Sequence, residues 1–354
     1  MDEPGNQGAV TPLGTQLNRG GASVDGARCR AVADLLRGTT IPDDQEDTSL
    51  PQVERVRLPN FLLMVVAICH QTTPAAHILP LEGIIEGRVV KGWDYLLQRF
   101  AAVASASTVW TEPEFWETVQ GSDVREAMRD SVFGDRLTDP EGRAELIRDL
   151  GVTMRCRGWG DASAIYASCS GRIRGNEPNL VSALASFRAY RDPVRKKTYF
   201  FLSLMRNFGL WVFADQDGLG PPADYHEVRG HLRLGTVRVN NADLLHRLIE
   251  KQSASVDEDN AIRDCVVLAI ETIAASVGVT PSQAHYLFWN VFRNICTRER
   301  PQCFALRPDC RLPDRYRPLT RLAARTNGCP FGAVCQSAGN DTMLQDPIVS
   351  TEFH

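Results

Sequence analysis

No stretch of the chain is apolar for long enough to cross a bilayer; the best run, Phe61 to Cys69, is less than half the length required. The N-terminus, MDEPGNQGAV, lacks the basic region and following apolar segment of a secretory signal. Both absences lead to an expectation of a cytoplasmic protein with no membrane partner. There is no internal repeat and no glycine-rich phosphate loop, and alternating strand patterns are scarce, so the expected fold class is mainly α. An excess of positive charge is also missing. The formal net charge is -4, which does not advertise a nucleic-acid binder.

The chain does have apolar bulk and cysteine. With 354 residues, 43% of them hydrophobic, it can bury one large core or two smaller ones. Ten cysteines without a secretory signal favour reduced thiols and a metal site over a disulfide framework. Five of them, Cys296, Cys303, Cys310, Cys329 and Cys335, fall within 40 residues of one another. Cys29, Cys69, Cys156, Cys169 and Cys265 sit in apolar or helical settings that suit buried thiols. Charge is uneven as well: Arg293 to Arg325 holds nine arginines, no lysine and three acids. Such a segment is either a solvated face or a patch that neutralises phosphates.

In chain order, residues 1–26 are poor in apolar side chains and predict a disordered arm. A short helix over Ala27 to Leu36 and an acidic loop follow. Leu58 opens a continuous apolar helix that leads to Gln71, Thr72 and Thr73. Residues 110–155 read as exposed helices, with Asp139-Pro140-Glu141 as a helix start. Trp159 and Tyr166 are aromatic candidates for stacking on a base, or plain core residues. Pro193 presets a turn, and an apolar helix follows over Thr198 to Val212. Lys197 lies in the first turn of that helix, where burial and the positive helix end both favour a neutral amine. Asp224 follows a Gly-Pro loop and is placed to cap the next segment. Asn241 caps a further helix. Asp257 to Ser276 is a long amphipathic helix stopped by Gly278, and Thr280-Pro281-Ser282-Gln283 is a capping box.

The order Lys197-Thr198, apolar helix, then Pro222-x-Asp224-x-His226 resembles the helix-hairpin-helix DNA glycosylase superfamily, which includes endonuclease III and the 8-oxoguanine glycosylases. Gln71 matches the family's Gln-x-Thr loop. Cys296 and Cys303 enclose six residues and Cys329 and Cys335 five, as in the family members that carry a cluster. Two departures stand out: the hairpin has Pro193, Val194 and Arg195 where glycines are usual, and Phe304 to Gly328 is inserted between the cysteine pairs.

The resemblance implies a two-lobed helical domain over residues 27–295, a Cys-rich segment over 296–335 and a flexible tail over 336–354. It implies a monomer that acts on double-stranded DNA and removes a damaged or modified base, with strand cleavage at the abasic site through a lysine. Lys197 would be the nucleophile and Asp224 the essential carboxylate. Gln71 would fill the gap left by the flipped base, and Arg195, Lys196 and the hairpin N–H groups would hold a phosphate. Cys296, Cys303, Cys329 and Cys335 would hold a [4Fe–4S] cluster, with zinc or no metal as alternatives and Cys310 as a substitute for Cys329. The base would be 8-oxoguanine or a hypermodified phage base. Two other readings remain: a non-enzymatic nucleic-acid-binding protein with a zinc module, and an N-glycoside hydrolase acting on a free nucleoside or nucleotide.

Overall fold

A computed structural model describes residues 18–42, 51–72, 79–322, 328–340 and 343–353. Within them the chain is mainly helical, as its patterning predicts. The helices are α1 (Gly26–Leu36), α2 (Leu58–Ala67), α3 (Gly92–Ala106), α4 (Pro113–Trp116), α5 (Gly121–Met128), α6 (Pro140–Arg157), α7 (Ala162–Ser168), α8 (Leu180–Leu184), α9 (Lys196–Asn207), α10 (Tyr225–Leu234), α11 (Ala242–Ile249), α12 (Val256–Val277) and α13 (Pro281–Asn294). Strands β1 (Asn18–Arg19), β2 (Ala22–Val24) and β5 (Val237–Val239) form a small antiparallel sheet, and β3 (Glu82–Ile85) and β4 (Arg88–Lys91) form a hairpin.

The apolar side chains collect in two cores. One draws on residues 58–219, the other on residues 22–41 and 223–331. From Ala22 onwards the chain therefore starts in the second lobe, leaves to build the first, and returns between Leu219 and Ala223. At the centre of the first lobe is α2. Phe61 through Ala67 are all fully buried, the pattern of a helix apolar on every side. Its end is capped by cations from elsewhere. Lys197 Nζ donates to the Ala67 carbonyl, while Arg143 donates to the carbonyls of Ile68 and, at 2.8 Å, His70. A helix leaves its last carbonyls without internal donors, and positive charge there is favourable.

Several helix starts fall where the local chemistry puts them. Asp139 caps α6 with Pro140 in its first turn, Asn241 caps α11, and Thr280 and Gln283 form a reciprocal box at α13. Ser255 and Glu258 do the same for α12, which ends at Gly278. Gly230 on α10 is needed for close approach: a Cβ there would stand 2.1 Å from the Phe292 ring of α13.

Three expectations need correction, and one element was not foreseen. Residues 18–24 are not a disordered arm, because β2 pairs with β5 and joins the second lobe; residues 1–17 lie outside the described residues. Residues 82–91 form a hairpin, with Glu86 and Gly87 both at positive φ in the turn. The helix opened by the lysine pair stops at Asn207 rather than Val212. Residues 343–353, expected as a flexible tail, are pinned down. Buried Asp346 accepts from Arg229 at 3.0 Å and from Arg298 at 2.5 Å. Ile348 accepts from Ala254 N at 2.9 Å, and Glu352 accepts both forks of Arg188 at 3.1 and 2.7 Å. The tail thus runs from the second lobe to the first.

Candidate active site

Asp224 sits where the chain re-enters the second lobe. As the N-cap of α10 it accepts from His226 N at 2.7 Å and Glu227 N at 3.4 Å, and Glu227 returns the bond to Asp224 N at 3.3 Å. This box uses one carboxylate oxygen. The other, Oδ2, accepts from the indole Nε1 of Trp289 on α13 at 3.0 Å. Burial pushes the carboxyl up, but the Lys196 charge and the Trp289 bond help to hold it below its ordinary value.

The lysine that shares a cavity with this carboxylate is Lys196. A turn organised by Asp192 sets the register. Its carboxylate accepts from Val194 N at 3.2 Å and Lys196 N at 2.8 Å, and its carbonyl accepts from Arg195 N at 2.9 Å. The turn closes with Arg195 in the left-handed region, φ 59°. Beneath it, Asp192 forms a bidentate pair with Arg263 of α12 at 2.9 and 2.6 Å, with both side chains wholly buried. From this turn α9 starts with Lys196 directed into a cavity and Lys197 directed into the first lobe.

Lys197 does not reach the site. It is fully buried and bonded to Ala67 O, and it is absent from the cavity wall. Burial lowers its pKa to about 7, with Lys196 and Arg143 adding to the effect. The expected depression of a lysine pKa is found, but on a structural cap. Lys196 lines the cavity, with Nζ 3.3 Å from Cys69 Sγ and 5.4 Å from the Phe200 ring. Burial pulls its pKa down, but Cys69 and Asp224 outweigh that and leave it above its ordinary value. Lys196 is therefore an ammonium at rest, facing the Asp224 charge.

The phosphate cradle expected at the hairpin is not formed by its backbone, because Asp192 takes the N–H groups of Val194, Arg195 and Lys196. Arg195 is exposed on the turn, and Lys196 points inward rather than towards a backbone. Gln71 does lie on the cavity rim. Its φ is 47°, an unusual value for a residue with a side chain, and its Nε2 is held by Val349 O of the tail at 2.9 Å. Thr73 lies outside the described residues.

The cavity itself is about 250 Å³. Trp93, Phe200, Tyr225 and Trp289 give it aromatic walls, and His226 and His285 face it from the second lobe. Drug-sized ligands occupy roughly 300–1,000 Å³, so this space suits one flat ring system. His226 is neutral: burial lowers its pKa to about 3, and its Nδ1 accepts from Arg229 at 2.9 Å. At Lys91, Trp289 and Arg293 the cavity opens into an open groove of about 1540 Å³. Arg88, Lys91, Arg293, Arg311 and Arg315 line the groove, against Glu86 and Asp94. Much of the arginine-rich segment is tied up internally, through Arg293–Asp94, Arg298–Asp346, Arg307–Asp309 and Arg317–Asp314 pairs. Trp159 and Tyr166 are not in the site. Trp159 packs on Phe187, and Tyr166 stacks on Trp211 at 4.9 Å.

The cysteines divide cleanly. Cys296, Cys303, Cys329 and Cys335 line one small pocket at the end of α13, all with free thiols. Gly328 lets the returning chain approach, since a Cβ there would stand 2.5 Å from the Cys303 carbonyl. Arg233 Nη1 lies 3.4 Å from Cys296 Sγ, a donor that stabilises a thiolate. Burial pushes up the thiols of Cys329 and, to about 11, Cys335, and the neighbouring sulfurs add to this. Thiolates are the ligands of both iron–sulfur clusters and structural zinc, and these four thiols line one apolar space. Among the described residues no three His, Cys, Asp or Glu side chains are gathered as a site for a single metal ion. Cys310 is not part of the set, because it points to Asn294 O at 3.8 Å. Cys156 is exposed on α6 rather than buried.

No family model matches the sequence, and no curated protein matches it significantly.

Proposed function

We propose that the chain is a DNA N-glycosylase that excises a damaged or modified base and opens the abasic site through a lysine. The observation that carries this reading is that Lys196 and Asp224 both line one aromatic-walled cavity of about 250 Å³, between residues of the two lobes. An N-glycosidic bond breaks through a sugar with oxocarbenium character. A carboxylate held ionised beside that sugar lowers the barrier, which is the role of Asp224. Lys196 is the nucleophile in place of Lys197. It attacks C1′ after losing a proton to solvent through the open mouth, and the resulting Schiff base permits strand cleavage.

A base reaches such a cavity only after leaving the duplex, at a cost of roughly a few kcal/mol. The groove beside it supports a double-stranded DNA partner, since its cations can meet phosphates. Gln71 stands at the rim, where a side chain can occupy the vacated stack. Cys296, Cys303, Cys329 and Cys335 would hold a [4Fe–4S] cluster, which would stiffen the segment after α13 and take no part in base removal; a colourless protein would point to zinc instead.

The test is a panel of duplexes carrying 8-oxoguanine, uracil or 5-hydroxymethyl pyrimidines, and one carrying a preformed abasic site. Base release followed by alkali cleavage, with borohydride trapping on the abasic duplex, supports the reading. A chain that binds duplexes yet does neither would instead be a non-enzymatic nucleic-acid-binding protein.

A further inference from the structure

We propose that His285, oriented by Glu227, is the general acid that protonates the departing base. The inference rests on the glycosylase reading and adds a residue that the resemblance does not supply.

His285 is the fifth residue of α13 and lines the cavity that holds Lys196 and Asp224. Its Nδ1 is 2.8 Å from Oε2 of Glu227, with both side chains buried. That bond fixes the ring plane and leaves Nε2 as the working nitrogen. Among the described residues Nε2 has no hydrogen-bond partner, and it is not among the buried orphan atoms, so it faces the open space of the cavity. Glu227 belongs at this position because it is also the third residue of the α10 capping box. The helix start that positions Asp224 therefore positions the partner of His285 as well. Carboxylate, imidazole and open nitrogen in line are the parts of an oriented acid. Oε1 of Glu227 is buried with no partner, and burial raises the Glu227 pKa while His285 works against that.

The other candidate acids are poorly suited. His226 is held neutral with its Nδ1 occupied by Arg229. Lys196 is the nucleophile and cannot hold its proton while it attacks.

The step balances as follows. The C1′–N bond breaks, and its electron pair goes to the base nitrogen. That nitrogen takes the proton from Nε2 of the imidazolium and leaves as neutral base. The ring becomes neutral with its remaining proton on Nδ1, facing Glu227. The sugar cation, facing Asp224, is taken by Lys196.

The charged and titratable groups around His285 are Asp224, Tyr225, His226 and Glu227 from α10 and its cap, Lys196 from α9, Cys69 after α2, Lys91 from β4, and Tyr286 and Arg293 from its own helix. Glu227 is the contact that orients the ring.

The test uses the full chain, single-turnover release of whichever panel base the wild type frees fastest, and borohydride trapping on the preformed abasic duplex, which needs no leaving-group proton. His285→Asn should lower release at neutral pH by about 100-fold or more, with trapping within a few-fold of wild type. Glu227→Gln should lower release several-fold with trapping unchanged, because the ring loses the contact that orients it. Release by His285→Asn within about threefold of wild type, or equal loss of release and trapping, overturns the proposal while leaving the glycosylase reading in place. A wild-type chain that releases none of the panel and traps no abasic site overturns both.

Discussion

Asp192→Ala is the substitution whose cost is set most directly by the structure. Asp192 and Arg263 form a bidentate pair with neither side chain exposed. Removing one member of such a pair leaves an uncompensated buried charge, which costs roughly 3–5 kcal/mol. Two turn N–H groups, of Val194 and Lys196, lose their acceptor as well. Domains of this kind are stable by roughly 5–15 kcal/mol, so the variant should be folded but marginal. Urea denaturation followed by far-UV circular dichroism should show the midpoint falling with little change in slope. The double substitution Asp192→Leu with Arg263→Met, which removes both charges, should recover much of the loss. A single-variant cost below about 1 kcal/mol would refute the assignment of this pair as the anchor of the lysine turn.

Three further outcomes follow from the same geometry. Lys197 has a folded pKa of about 7, well below its unfolded value, so folding expels its proton and stability should rise with pH above 7; Lys197→Met should flatten that rise by about 1.4 kcal/mol per pH unit, read from thermal or urea melts at pH 7 to 9. Trp289→Phe removes a donor to Asp224, so the Asp224 pKa should rise and the acid limb of base release should move to higher pH. Cys303→Ser should abolish any bound iron or zinc measured by elemental analysis, whereas Cys310→Ser should leave the metal content unchanged, since that thiol points away from the pocket.

The sequence carried more about ends than about directions. Capping chemistry is local, so Asp139, Asn241, Asp224 and the Thr280 box were legible as helix starts. The choice of Cys296, Cys303, Cys329 and Cys335 came from the resemblance rather than from spacing alone, and all four line one pocket. The choice between Lys196 and Lys197 was not legible. Adjacent helical residues point about 100° apart, and their direction depends on Asp192 and on the left-handed backbone of Arg195. Both are set by Arg263, 71 positions from Asp192.

His285 was missed for a similar reason. In sequence it is one polar residue in a run of aromatic and apolar ones, and its partner lies 58 positions away. The one available signal was Glu227, whose place in a capping box beside Asp224 marks a second carboxylate at the same helix end. The tail gave no signal either, because Asp346 is ordinary until Arg229 and Arg298 close on it.

The central claim is that residue 196, and not residue 197, supplies the amine. Borohydride trapping of the chain on an abasic duplex, followed by digestion and mass spectrometry of the cross-linked peptide, reads the attached residue directly. The account predicts a modified Lys196, with the adduct lost in Lys196→Gln and kept in a folded Lys197→Met. An adduct on Lys197, or one that survives Lys196→Gln undiminished, would contradict it.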